Sequence, residues 1–312
     1  MIVVEGLTHY YGDRKAVEGL SFKISRNEIV GFLGLNGAGK STTLKVLAGL
    51  LIPSSGTVSI DGVDLVSAGD SFRSRIGYLP EDPPLYKEMT VSEFVRFCGQ
   101  LKGMATAAVN ARLPQVLEIC QLTHMKDRVI NELSHGYRKR VGIAQAIIHK
   151  PALVILDEPI SGLDPRQIVE MRQVIRNLGK DTTVLISSHI LGEISETCDR
   201  LLVLHGGTIA AEGKEEELVH RSQARGTRIT LTLRGDVAAL GATLAKVPAV
   251  QKHDVHEEAP GILRVHVSLQ GDDREALVAA LVGGGLGIRR MVEDETELEQ
   301  VFLGLTTPTA SA

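Results

Sequence analysis

Gly34-Leu35-Asn36-Gly37-Ala38-Gly39-Lys40-Ser41 fits the pattern G-x-x-x-x-G-K-[ST]. A strand-like apolar run, Glu28-Ile29-Val30-Gly31-Phe32-Leu33, comes just before it. A helix-like run, Ser41-Thr42-Thr43-Leu44-Lys45-Val46-Leu47-Ala48, follows. In that strand–loop–helix setting the glycines let successive backbone N–H groups turn inward around phosphate oxygens. The helix that follows adds the positive end of its dipole. The pattern assigns Asn36, Gly37, Ala38, Gly39, Lys40, Ser41 and Thr42 to a nucleotide. Lys40 supplies a point charge to the β- and γ-phosphates, and Ser41 a hydroxyl ligand for Mg²⁺.

Composition narrows the class. A chain of 312 residues fits about two domains. An apolar fraction of 43% is enough for a sizeable core. The net charge of −4 argues against the basic field of a nucleic-acid binder, so no nucleic-acid partner is expected. Cys98, Cys120 and Cys198 are scattered and show neither metal nor disulfide spacing, which points to a reducing cytosol. The start, Met1-Ile2-Val3-Val4-Glu5, lacks the basic region and apolar core of a secretory signal. No run reaches the roughly 18 apolar residues of a membrane span, so any membrane role falls to a partner.

Taken in order, residues 2–11 and 16–24 read as strands, and Pro53-Ser54-Ser55-Gly56 as a turn. Thr57-Val58-Ser59-Ile60 is a strand entering a tight turn at Asp61-Gly62, and Ile76-Gly77-Tyr78-Leu79 a short buried strand. Helical spacing governs residues 90–121, through Val91, Phe94, Val95, Cys98 and Leu101 and then Val109, Leu113, Val116, Leu117 and Cys120. Another helix is expected to start at Ser134. The run Ala152-Leu153-Val154-Ile155-Leu156 is an apolar strand, followed by a helix near 166–178 and the strand Thr183-Val184-Leu185-Ile186-Ser187. Alternating strands and helices with fully apolar strands imply a parallel sheet covered on both faces. Beyond residue 226 the order is strand, helix near 236–246, strands near 249–256 and 262–269, helix 273–283 and strand 287–292. That β-α-β-β-α-β order is ferredoxin-like.

Asp157 and Glu158 follow the apolar strand, at the carboxyl end where α/β sheets bind ligands. Asp157 is suited to hold Mg²⁺, directly or through water. Glu158 is suited to orient and polarise an attacking water.

With these motifs in this order, residues 2–218 resemble the nucleotide-binding subunit of ATP-binding cassette (ABC) transporters. Leu133-Ser134-His135-Gly136-Tyr137 resembles the family's LSGGQ signature, with His135 in place of the first glycine and Tyr137 in place of the glutamine. The resemblance implies that Ser134, His135 and Gly136 close over ATP held by a second copy; Ser134 is also suited to cap its helix. Ser161-Gly162-Leu163-Asp164 resembles the D-loop. His189, after Ser187-Ser188, resembles the switch histidine that bonds the γ-phosphate and the attacking water. Tyr11 resembles the aromatic residue that stacks on adenine, with Val17 beside it and Tyr10 as its rival. Glu81 stands where the family usually has the Q-loop glutamine; a carboxylate there can still ligate Mg²⁺ with Ser41 and Asp157. Asp82-Pro83-Pro84-Leu85-Tyr86 and the helix after it are the candidates for facing a membrane partner.

The implied fold is α/β: a P-loop NTPase of ABC-cassette type over residues 1–220, with a helical subdomain at about 82–150. A linker at 221–226 leads to a small ferredoxin-like accessory domain at 227–306 and a disordered tail at 307–312. A last short helix is expected at 296–304; together with Leu298-Glu299-Gln300-Val301-Phe302, the layout resembles exporter subunits whose permease is a separate polypeptide. ATP and Mg²⁺ are the implied cofactors. A second copy and an integral-membrane permease are the implied partners, and the cytoplasmic, inner face of the cell membrane is the implied location. The rival reading is a soluble ABC-type ATPase switch; one cassette and a short gap from Lys40 to Ser134 disfavour it. Two features point away from further sites. His253 and His256, with His266 nearby, suggest a metal site, but His253 and His256 lie three apart on a strand and face opposite sides, so they are poorly placed to share an ion. Arg138-Lys139-Arg140 reads as a solvated basic helix face.

Overall fold

The computed structural model describes residues 1–218, 227–271 and 273–293. The linker expected at 221–226, the short helix at 296–304 and the tail at 307–312 lie outside them. The chain divides into two units, Met1–Lys214 and Glu215–Ala312.

Along the first unit run β1 (Ile2–Tyr11), β2 (Arg14–Ile24), β3 (Ile29–Gly34), α1 (Lys40–Leu47), β4 (Ser55–Ile60), β5 (Val63–Asp64), α2 (Leu65–Ala68), α3 (Asp70–Arg73) and β6 (Ile76–Leu79). Then come α4 (Val91–Leu101), α5 (Thr106–Ile119), α6 (His135–Ile147), β7 (Leu153–Leu156), α7 (Pro165–Gly179), β8 (Thr183–Ser188), α8 (Leu191–Ile194), β9 (Arg200–His205) and β10 (Thr208–Gly213). Two sheets result. One is antiparallel, in the order β2-β1-β4-β5; the other has six strands in the order β10-β9-β3-β8-β7-β6. Every residue of β3, β7 and β8 is buried, as strands covered on both faces require.

Strand order decides where the chemistry sits. β8 lies between β3 and β7 and runs parallel to both, with Leu33 opposite Ser188 and Leu156 opposite Ile186. The loops that leave the carboxyl ends of β3, β7 and β8 therefore emerge side by side. The sheet is not wholly parallel, as the apolar runs suggested. β9 and β10 form an antiparallel hairpin at its edge, turned by Gly206 and Gly207, both at positive φ. That two-glycine turn between strands is a hairpin signal, and nothing in the apolar periodicity announced it.

α4 and α5 fall within residues 90–121, where helical spacing was read. α4 opens with a capping box: the Thr90 hydroxyl accepts from the Glu93 amide, and the Glu93 carboxylate accepts from the Thr90 amide. α6 lies against β6, where Gly77 has no room for a side chain: a Cβ there would sit 2.8 Å from the Ala146 carbonyl carbon. The basic run on α6 departs from expectation. Lys139 and Arg140 are only 2% and 3% exposed. Arg140 pairs with Glu170, reaches Gln121 at 3.3 Å and lies 5.2 Å from the centroid of the Tyr137 ring. The expected solvated face is an interior one because fixed acceptors meet each cation.

The second unit contains β11 (Thr227–Arg234), α9 (Val237–Leu244), β12 (Val250–Ala259), β13 (Ile262–Leu269), α10 (Arg274–Gly283) and β14 (Gly287–Glu293). Its sheet order, β12-β13-β11-β14, is antiparallel throughout and ferredoxin-like. Ile229, Leu231, Leu233, Val265 and Val267 bury with Leu240, Leu277 and Leu281 of the two helices. His253 pairs with Val267 and His256 with Arg264, on opposite faces of the sheet. Among the described residues no helix is long and apolar enough to cross a membrane.

The packing of α6 on β6 gives a direct check. Gly77→Ala drives a methyl into the backbone of α6 and is expected to lower the unfolding free energy by about 1–3 kcal/mol, read as a fall in Tm.

Candidate active site

The loop after β3 closes on itself through the Ala38 amide, which donates to the Leu35 carbonyl at 3.1 Å. Gly37 and Gly39 hold φ of +85° and +100°. At Gly39 a side chain would also meet the Ala16 carbonyl at 2.8 Å, so glycine is required both for conformation and for space. α1 begins at Lys40 directly beyond. Lys40 is 6% exposed, and its ammonium folds back onto the Gly34 and Leu35 carbonyls. Burial draws its pKa down; Glu158, Asp157 and Glu81, in that order, push it back up. A cleft of about 310 Å³ opens over the loop, lined by Leu35, Asn36, Gly37, Gly39, Lys40, Ser41 and Thr42, and on its other wall by Tyr11, Arg14, Lys15 and Ala16.

The acidic pair after β7 is buried and fixed. The Ser187 hydroxyl of β8 donates to Asp157 Oδ1 at 2.6 Å and accepts from the Glu158 amide at 2.9 Å. Tyr78 also bonds Asp157; burial first, and the Asp157 charge second, push its phenol pKa up. Glu158 adopts φ +48°, a conformation uncommon for a side chain of its size. Its carboxylate reaches two other candidate site residues. Oε2 is 3.0 Å from His189 Nδ1, and Oε1 is 3.9 Å from Lys40 Nζ. A carboxylate next to a phosphate-binding lysine and tied to an imidazole can orient and polarise a water for attack on a bound phosphoryl group.

The donors fit a hard divalent cation. The Glu158, Asp157 and Glu81 carboxylates all act on the Lys40 ammonium, and a cation would offset their combined negative charge. Ser41, Asp157 and Glu81 offer only oxygen, as Mg²⁺ prefers. Among the described residues no three His, Cys, Asp or Glu side chains form a metal cage of their own; water and phosphate oxygens would complete the shell.

Not every expected residue is in the cleft. Ser134, His135 and Gly136 do not line it, and neither do Glu81, Asp157, Glu158 and His189. The first three pack elsewhere: a Cβ on Gly136 would meet the Gln167 side chain at 2.9 Å, and the His135 ring lies 3.8 Å from where a Cβ on Gly162 would be. Ser134 is the N-cap residue of α6, yet its side chain makes no cap hydrogen bond. The hydroxyl expected to close the helix is exposed instead. Tyr11, 48% exposed, stands on the cleft wall, edge-on to His9; Tyr10 does not line it. Val17 is wholly buried in the core, and its neighbour Ala16 takes the place at the wall. Sequence reasoning overlooked Arg14 and Lys15, although two cations just past the Gly12 turn were a visible signal. It also overlooked Ser187 and Lys139, whose roles depend on partners distant in sequence.

A family model described as "ABC transporter" matches residues 17–161. Over 303 residues the chain is 33% identical to the uncharacterized ABC transporter ATP-binding protein YxlF of Bacillus subtilis (strain 168), covering 97% of this chain and 98% of that one. It is 34% identical over 309 residues to the bacitracin transport ATP-binding protein BcrA of Bacillus licheniformis, covering 98% and 97%. The chain belongs to the ABC transporter ATP-binding proteins. The dimeric structure of the bacterial ABC transporter cassette MJ0796 resembles this ABC ATPase with a TM-score of 0.61 and 26% identity, over 69% of this chain and 98% of that one. A post-hydrolysis state of that cassette, bound to ADP and Pi, matches equally well at 25% identity.

In this ABC subunit Ser187 joins both acids in one buried hydrogen-bond unit. Ser187→Ala leaves the Glu158 amide without its partner, with an expected loss of about 1–3 kcal/mol of stability. ATP turnover falls with it. Thermal melting and a steady-state ATPase assay check both effects.

Proposed function

We propose that two copies of this subunit close head to tail around two ATP molecules and thereby drive a separate integral-membrane permease, in an export system. The observation that carries the reading is a division of labour. The loop, Lys40, Glu158 and His189 form one half-site within 3.9 Å contacts, while Gly136 packs against Gln167 and His135 beside Gly162 at the N-terminus of α6, with Ser134 exposed. A helix N-terminus suits an anion, and in this reading the anion is the γ-phosphate held by the other copy. The dimeric form of MJ0796 supports the pairing. The bacitracin-transport name of one relative supports coupling to transport.

In each site the loop amides and Lys40 bind the phosphates. Tyr11 stacks on the base. Ser41, Asp157 and Glu81 would hold Mg²⁺, which would supply charge neutralisation to the phosphates. Glu158 orients the water and takes up its proton as the attack proceeds, and His189 holds that carboxylate in place. Contacts made only in the closed pair favour closure, and their loss after hydrolysis favours opening. Residues 1–220 serve as the ATPase domain and 227–306 as an accessory domain. The permease holds the pair at the cytoplasmic face of the membrane through the segment 82–86 and α4.

Glu158→Gln tests this. Its ATPase rate is expected to fall about 100-fold or more, and with Mg²⁺ and ATP the protein is expected to double its mass by light scattering. A Glu158→Gln chain that hydrolyses at the wild-type rate, or stays monomeric with ATP, contradicts the proposal.

A further inference from the structure

Helix α6 carries a buried cation that the hydrolysis described above does not use. Lys139 is 2% exposed and sits one turn beyond His135, on the helix that the signature residues open. Its ammonium donates to the main-chain carbonyl of Glu158 at 2.6 Å and to that of Ser161 at 2.9 Å. A buried ammonium is tolerated only where hydrogen bonds replace its hydration. An apolar side chain would fill the same space without that demand.

The two carbonyls span the turn that holds the catalytic carboxylate. Glu158 has φ +48°, a conformation that persists only when its surroundings impose it. Two grips impose it: Ser187 of β8 accepts from its amide at 2.9 Å, and Lys139 of α6 donates to its carbonyl. The first grip comes from the sheet and is fixed. The second comes from the signature helix.

We infer that Lys139 is a positioning residue that couples the two ATP sites, by linking the signature end of α6 to the same chain's Glu158. The inference rests on the composite-site reading, in which Ser134–Gly136 touch the nucleotide of the other copy. Within one helical turn the backbone is rigid, so a shift of the α6 N-terminus carries Lys139 with it. Hydrogen bonds of 2.6 and 2.9 Å pass such a shift to the Glu158 backbone. The Glu158 carboxylate, held by His189 at 3.0 Å, takes its attacking position only when α6 is seated. Closure of one site thereby readies the other.

The test uses the full chain with Lys139→Met and Lys139→Gln, each alone and each combined with Glu158→Gln. Lys139→Met is expected to lower kcat about 10- to 100-fold with the KM for ATP within about twofold of wild type. The Hill coefficient for ATP is expected to fall toward about 1. ATP-driven dimerisation of Lys139→Met/Glu158→Gln is expected to match that of Glu158→Gln. Lys139→Gln keeps an N–H donor for one carbonyl and is expected to recover part of kcat; it decides the matter if the methionine variant does not fold. Unchanged kcat and Hill coefficient overturn the inference. So does a parallel loss of kcat and dimerisation in both variants, which marks a purely structural lysine. Failure of Glu158→Gln alone to dimerise would instead contradict the composite site.

Discussion

The placement of β8 between β3 and β7 is the constraint on which the site depends. Those pairings put the phosphate loop, the acidic pair and His189 side by side at the carboxyl ends of the central strands. Ser187, on β8, then fixes Asp157 and the Glu158 amide through one hydroxyl. Were β8 at an edge, Glu158 could not sit 3.9 Å from Lys40 and 3.0 Å from His189 at once. The chemistry belongs to the loops, and their convergence belongs to the strand order.

Charge explains the finish of the site. Lys40 is buried and loses hydration, yet Glu158, Asp157 and Glu81 all favour its charged form. These carboxylates, together with added phosphates, concentrate negative charge beside the one buried ammonium. A bound divalent cation and the loop amides would offset it. Glu81 in place of the family's usual glutamine adds to the demand for metal, because an amide would bring no charge.

Much of this was legible in the sequence, and the exceptions share a cause. The phosphate loop, the apolar strands and Asp157-Glu158 are local signals: spacing and strand ends define them. The β9–β10 hairpin escaped because no strand was read over residues 200–213 and Gly206-Gly207 carried no weight. Arg138-Lys139-Arg140 was taken for a solvated face because a charged run usually is one; the acceptors that bury Lys139 and Arg140 lie 19 to 30 residues away in sequence. Val17 was placed beside the base, whereas strand alternation turns it into the core and leaves Ala16 at the cleft. Ser134 sits at its N-cap position without making the cap bond, a detail of side-chain geometry that residue type does not determine.

The central claim is that each ATP site is shared between two copies. The most direct measurement mixes two inactive proteins, one carrying Lys40→Ala and the other Ser134→Arg. Each is expected to show no ATPase activity alone. In a mixed pair, the intact loop of the Ser134→Arg chain meets the intact signature of the Lys40→Ala chain, so activity is expected to return on mixing. No activity at any mixing ratio, with both proteins folded, would contradict the shared site.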